Sequence, residues 1–168
     1  MTFDGGLYPP GSPLALPVDQ RPPRGVEVDY LPLAATAGLP VPGMPVDIYG
    51  WGKTQQPGGF DPFATLMTVK LTVLVNSDCS ALPGMGGRER VHPGVFCASD
   101  KEQKTCQGDS GGPVVQDGVL VGIVSWGKKN CTYDGEPGVY TRIAGYYDWI
   151  VEQIGADGLN ETAAAAVN

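Results

Sequence analysis

Residues 65–75 alternate so that Met67, Val69, Leu71, Val73 and Val75 fall on one face of a single extended strand. Such a strand needs partners, and the rest of the chain supplies them as short runs. These are Val46 to Trp51, Val95 to Cys97, Pro113 to Val115, Val119 to Trp126 and Gly138 to Ile143. Asp117-Gly118 separates two of the runs and is a strong two-residue hairpin signal. Six short strands divided by turns predict an all-β fold, an antiparallel barrel or sandwich. One helix is predicted near residues 146–154, where Tyr146, Tyr147, Ile150 and Ile154 recur at helical spacing before a stop at Gly155.

The prolines divide the chain. Ten of the 16 lie within residues 1–46. At that density the ladder donors of a sheet are lost, so residues 1–45 read as an irregular, extended lead-in. Residues 46–155 then hold the strands and the helix, and residues 156–168 read as a frayed tail. Eighteen acidic against 11 basic residues give a net charge of −7, the wrong sign for an electrostatic grip on nucleic acid. No apolar run is long enough to span a membrane. Residues 1–20 lack the basic start and apolar centre of a signal peptide.

Four cysteines, at 79, 97, 106 and 131, include no C-x-x-C pair, and the chain holds one histidine, His92. A zinc site is therefore not expected, and no other metal or cofactor is implied. The even count fits two disulfides and an oxidising compartment, with buried free thiols as the alternative. Spacing alone leaves the pairing open.

The segment Thr105-Cys-Gln-Gly-Asp-Ser110-Gly-Gly-Pro113 surrounds one serine with three glycines. Backbone of that freedom can turn consecutive N–H groups toward one spot, as an oxyanion hole requires. Gly108-Asp-Ser110-Gly-Gly112 also fits the G-x-S-x-G elbow of α/β-hydrolases. That fold places its histidine after the serine, and none follows Ser110.

Taken whole, the nonapeptide resembles the nucleophile loop of the trypsin/chymotrypsin family of serine proteases. Gly50-Trp51-Gly52, Ile123-Val-Ser125-Trp126-Gly127 and Pro137-Gly138-Val-Tyr140-Thr141, followed by Tyr147 and Trp149-Ile150, resemble further segments of the same family in the same order. The resemblance covers roughly residues 26–155. It implies one six-stranded antiparallel barrel, the second of the family's two, with a C-terminal helix. It implies that Ser110 is the nucleophile and that the N–H groups of Gly108 and Ser110 form the oxyanion hole. Asp109 matches the acid that pairs with the freed N-terminus in active members. Ser125, Trp126 and Gly127 match the strand that binds substrate backbone, and Gly127 and Gly138 match the small walls of the specificity pocket. Cys79 with Cys97, and Cys106 with Cys131, match two family disulfides. A polypeptide substrate and a secreted location follow from the same likeness.

Departures from the family pattern weigh as much as the matches. The family's catalytic histidine and aspartate come mainly from the first barrel, which this chain starts too late to contain. Pro13 stands where the Pro13-Leu-Ala-Leu16 segment would carry the aspartate, and Asp19 is the nearby carboxylate. His92 falls on the far side of the pocket from the base position in relatives, and reads as an exposed or locally bonded histidine. Lys104 stands six residues before Ser110, where trypsin-like enzymes carry an aspartate at the pocket floor. An ammonium there repels Lys and Arg side chains and favours Asp or Glu. Three functional expectations follow. The chain is the C-terminal half of a serine endopeptidase and is inactive alone, or a non-catalytic homologue serving as a binding module, or a chain completed by a separate N-terminal partner.

Overall fold

The computed structural model describes residues 31–53, 65–127 and 136–153. Six strands close into an antiparallel barrel: β1 (Pro45–Gly50), β2 (Met67–Val73), β3 (Val95–Ser99), β4 (Pro113–Gln116), β5 (Val119–Trp126) and β6 (Gly138–Arg142), in the order β1-β2-β3-β6-β5-β4. Closure comes from β1 pairing with β4, through Asp47↔Val115 and Ile48↔Val114. All six expected strands form. Asp117 and Gly118 both take positive φ, 50° and 76°, and make the tight β4–β5 turn.

The interior follows the alternation. Val46, Ile48, Leu71, Val73, Val114, Val121 and Val124 point inward around Phe96 and Tyr140. Phe96 and Tyr140 are cross-strand partners on β3 and β6, with ring centroids 5.3 Å apart. Gly122 on β5 makes room for the Phe96 ring, since a Cβ there would lie 2.5 Å from it. Burial of apolar side chains of this size is the main source of the barrel's stability. The expected stripe on β2 is shorter than the sequence suggests. Leu71 and Val73 are buried, Val69 is half-buried, but Met67 and Val75 are exposed. Met67 pairs with the last residue of β1, Gly50, and so stands at the rim of the barrel.

Strand β3 is buried on both faces. Phe96 and Ala98 join the barrel core, while Val95 and Cys97 face a second cluster with Cys79, Met85, Val91 and Val139. That cluster lies under two short helices, α1 (Asn76–Ala81) and α2 (Gly87–Arg90), which the sequence does not announce. Six and four residues are too few for a helical period to register, and neither helix has a side-chain cap. A Cys79–Cys97 disulfide ties α1 to β3 instead. A 3₁₀ turn (Ile143–Gly145) and a short helix at residues 147–153, α3, follow β6. Ile150 of α3 rests on the barrel core, while Trp149 is exposed. Ile154 and the expected tail at 156–168 lie outside the described residues.

The described part of the proline-rich lead-in is held on the barrel. Leu33 bridges Leu120, Ala34 and Pro40 are buried, and buried Gln116 accepts the Val41 N–H (3.0 Å) while donating to the Pro45 carbonyl (3.2 Å). Pro13 and Asp19 lie outside the described residues. Within the described residues no helix is long and apolar enough to cross a membrane.

Candidate active site

The Ser110 loop enters β4 at one end and hangs from β5 at the other. Gly111 donates to the Val124 carbonyl (2.9 Å) and Val124 returns a bond to Gly112 (2.9 Å). Asp109 closes the turn beneath, its N–H bonding the Cys106 carbonyl (3.1 Å) and its carbonyl accepting from Gly112 (2.9 Å). Gly108 and Gly111 adopt φ of 99° and 84°, conformations that a side chain would strain. Among the described residues, the N–H groups of Gly108 and Ser110 donate to nothing. Ser110 is exposed, in the wall of a cavity of about 380 Å³ that Tyr49, Trp51, Leu66 and Gly108 also line.

The Asp109 carboxylate is what holds this loop against β1. One oxygen accepts the Gly52 N–H at 2.8 Å and the other accepts the Cys106 N–H at 2.8 Å. The fit explains the Gly-Trp-Gly segment, because a Cβ on Gly50 or Gly52 would collide with that carboxylate. Lys53 adds a second tie, through its N–H to the Gln107 carbonyl (2.8 Å) and its Nζ to Gln107 Oε1 (2.9 Å).

The expected substrate-strand residues gather at the adjoining end of β5. Ser125 is the extra residue of a bulge, since Val124 pairs with Tyr140 and Trp126 with Val139. The bulge leaves Ser125 exposed beside half-buried Trp126. Gly127 and Gly138 lie against each other, a Cβ on Gly127 falling 3.7 Å from the Gly138 Cα. Gly138 in turn leaves space for the Tyr140 hydroxyl, which shares a 3.2 Å hydrogen bond with Thr105. Lys104, next in the chain, is partly buried. Cys106 is disulfide-bonded, and its expected partner, Cys131, lies outside the described residues. Ser110, Gly108 and Asp109 thus share one loop. His92 stands apart, exposed, with Nδ1 accepting the Gly94 N–H (3.1 Å), in a different cavity lined by Asn76, Arg88 and Pro93.

Two participants escape a reading of the sequence. The Arg90 guanidinium sits 4.3 Å from the Trp126 ring centre, a cation–π contact between α2 and β5 that no local pattern signals. Tyr140 is the other. Burial pushes its phenol up to about 12; the Thr105 hydrogen bond pulls the other way, and the Asp109 charge adds to the rise. An ordinary tyrosine ionises near 10, so the unfolded chain loses this proton first as the pH climbs. The neutral phenol's contribution is complete below pH 10 and is lost as pH rises from 10 through 12. We expect stability to fall across that window by roughly 2–3 kcal/mol. Urea midpoints measured from pH 9 to 12 check this, and in Tyr140→Phe that part of the decline disappears.

The trypsin family model matches residues 15–150. Human kallikrein-8 is 42% identical over 119 residues, which are 70% of this chain and 44% of the relative. Trypsin of Sus scrofa is 42% identical over 113 residues, 66% of this chain and 46% of the relative. Among solved structures, neuropsin, a serine protease expressed in the limbic system of mouse brain, aligns with a TM-score of 0.64 at 37% identity, over 76% of this chain and 55% of that one. A scabies mite inactivated protease paralogue aligns with a TM-score of 0.64 at 28% identity, over 75% of this chain and 53% of that one. The chain spans about half the length of the relatives it matches. With a family model covering most of its length and a barrel to match, the chain belongs to the trypsin family of serine proteases.

Proposed function

We propose that this chain is the nucleophile-bearing and specificity-bearing half of a serine endopeptidase, and that alone it does not turn over substrate. The observation that carries the proposal is the Gly108–Gly112 loop, pinned to β5 and to Asp109, with the Gly108 and Ser110 N–H groups left without acceptors. Two free donors beside a serine suit a peptide carbonyl that gains negative charge on attack. In the complete reaction the Ser110 hydroxyl oxygen adds to the carbonyl carbon as its proton passes to a base. The tetrahedral oxyanion rests on the two N–H groups and then expels the amine, which takes that proton. Ser125 to Gly127 lay the substrate backbone along β5, and Asp109 is the acid that positions the loop. Lys104 at the pocket floor favours an acidic side chain before the scissile bond.

The base is what this chain does not place. Its only histidine is His92, which lines a different cavity and whose Nδ1 is occupied by Gly94. A serine hydroxyl without a base is a poor nucleophile at neutral pH. The histidine therefore comes from outside this chain, either from a first barrel or from a partner carrying one. Trp51, Leu66 and Met67, exposed beside the Ser110 cavity, are the apolar surface such a barrel would cover. The disulfides suit an extracellular or otherwise oxidising location.

The isolated chain should hydrolyse peptide esters at the buffer rate, and Ser110→Ala should change nothing. A rate above buffer that Ser110→Ala removes, with contaminating protease excluded, overturns the proposal. A second reading, a non-catalytic binding module, is favoured by Lys104 and by the lone histidine. The coding sequence upstream of Met1 separates the two. An in-frame segment with a family-like histidine, whose product cleaves peptides until Ser110 is replaced, supports the peptidase; an inert product supports the module.

A further inference from the structure

The Arg90 guanidinium stands beside the strand assigned to the substrate backbone, and nothing in the Ser110 chemistry uses it. It lies 4.3 Å from the ring centre of Trp126, the last residue of β5.

Contacts at both ends fix where this charge sits. The aliphatic stem of Arg90 crosses Gly86 so closely that a Cβ there would collide with it. Gly86 has a φ of 74°, so a glycine suits both the backbone and the stem. The Trp126 indole packs on the buried cluster that includes Met85 and Val91, which flank α2. A guanidinium over an aromatic ring is held by its charge and keeps its in-plane N–H groups free to donate.

Those donors are unspent. Arg90 is exposed, and among the described residues no hydrogen-bond acceptor and no carboxylate meets its guanidinium. Arg88 and Glu89 beside it on α2 carry opposite charges, so the helix keeps a net positive charge. In a chain of net charge −7, a fixed cation without a counter-ion is a local reversal of sign.

The neighbouring main chain offers the other half of a peptide site. The β4–β5 ladder ends at Pro113↔Ile123, and Gly111 and Gly112 then bond Val124. Beyond that point, on the β4 side, Ser125, Trp126 and Gly127 meet no backbone partner among the described residues. On the opposite side β6 pairs with Trp126. An open edge of this kind accepts an extended peptide through main-chain bonds, and side-chain contacts then select among peptides. A peptide that begins at the Ser110 loop and follows this edge passes Trp126.

On the reading that Ser125 to Gly127 hold the substrate backbone, we propose that Arg90 is a specificity-determining residue. It selects an acidic side chain on the part of the polypeptide that passes Trp126. The carboxylate accepts from the free guanidinium edge, a charge-assisted and geometrically specific pairing. Apolar side chains gain less at this position, because Arg90 already covers the ring. The selection is separate from that by Lys104, so the preferred polypeptide carries one acidic residue for each cation.

The test is an NMR titration of the labelled full chain with N-acetylated, C-terminally amidated alanine hexapeptides. One Glu is moved from position to position, and each peptide is paired with its Gln counterpart. The peptides should shift the amides of Ser125 and Gly127. One Glu position should also shift the Trp126 indole N–H and bind about 3- to 5-fold more tightly than Gln, as one exposed charge pair allows. Arg90→Gln should abolish that preference while leaving the affinity of the Gln peptide unchanged, and Arg90→Glu should transfer it to Lys at the same position. Gly86→Ala, which displaces the stem but keeps the charge, should weaken it, so the test does not depend on one variant folding. Equal binding of Glu and Gln peptides at every position, or a preference that Arg90→Gln leaves intact, overturns the role of Arg90 and leaves the β5 reading standing. Peptides that move neither the Ser125 nor the Gly127 amide overturn that reading, and this role with it.

Discussion

Phe96→Ala is expected to destabilise the barrel by about 3–5 kcal/mol, the range for a fully buried aromatic truncated in a core that cannot collapse. Phe96 is fully buried and stacks on Tyr140 across the β3–β6 pair, with the Arg142 guanidinium 5.5 Å from its ring centre. Strand partners hold the backbone on both sides, so the space left behind stays open. Gly122 sharpens the test. Its missing side chain is the space the ring occupies, so Gly122→Ala alone presses a methyl group against both the ring and the Thr141 carbonyl. Overpacking of that kind costs about 1–3 kcal/mol. With Phe96 already truncated, the same methyl keeps only its contact with the Thr141 carbonyl, and its cost should drop by about 1 kcal/mol or more. Urea unfolding of the two single variants and the double variant measures this. Strict additivity would mean that the ring and Gly122 do not share the space the structure gives them.

Periodicity made the barrel legible, and its limits follow from the same cause. Alternation in residues 65–75 and the Asp117-Gly118 turn are local signals; the turn forms as announced, and the strand forms while burying only Leu71 and Val73 of its stripe. Val95 to Cys97 is continuous rather than alternating because β3 serves two clusters, one inside the barrel and one beneath α1 and α2. Those helices stayed hidden because a disulfide and a buried cluster hold them, with no periodic face of their own. The β5 bulge that turns Ser125 outward depends on β6 offering one residue against two, which only pairing reveals.

The candidate site divides the same way. Ser110 and its glycines are one continuous segment, so a motif can name them. What holds them is remote: Gly52 is 57 residues from the carboxylate it bonds, and Arg90 reaches Trp126 from another element. The likeness to a family named Gly50-Trp51-Gly52 without giving its physical reason. The geometry supplies one, as the absent Cβ atoms are the seat of the Asp109 carboxylate.

Asp109→Ala should be the most damaging change in the Ser110 loop, at about 3–4 kcal/mol of stability. It removes two hydrogen bonds to an ionised acceptor, each worth about 1.5–3 kcal/mol, from a group that is only partly buried, which places the sum toward the lower end. The Gly52 and Cys106 N–H groups are then left without their partner. Asp109→Asn should recover part of the loss, since an amide oxygen can accept one of the two bonds while its NH₂ faces a donor on the other side. Hydrogen exchange locates the effect. Protection at Gly52 and Cys106 should fall sharply in the alanine variant, while Val46, Ile48 and Leu71 in the barrel wall follow only the global loss. A uniform fall across the barrel would show that the carboxylate supports the whole fold rather than the loop. Unchanged exchange at Gly52 would remove Asp109 as the anchor of the nucleophile loop. Gly50→Ala reaches the same contact from the other side, by pressing a methyl group onto an intact carboxylate, and should loosen the same two amides. Agreement between a variant that deletes the carboxylate and one that crowds it would leave the seat between β1 and the Ser110 loop as their common cause.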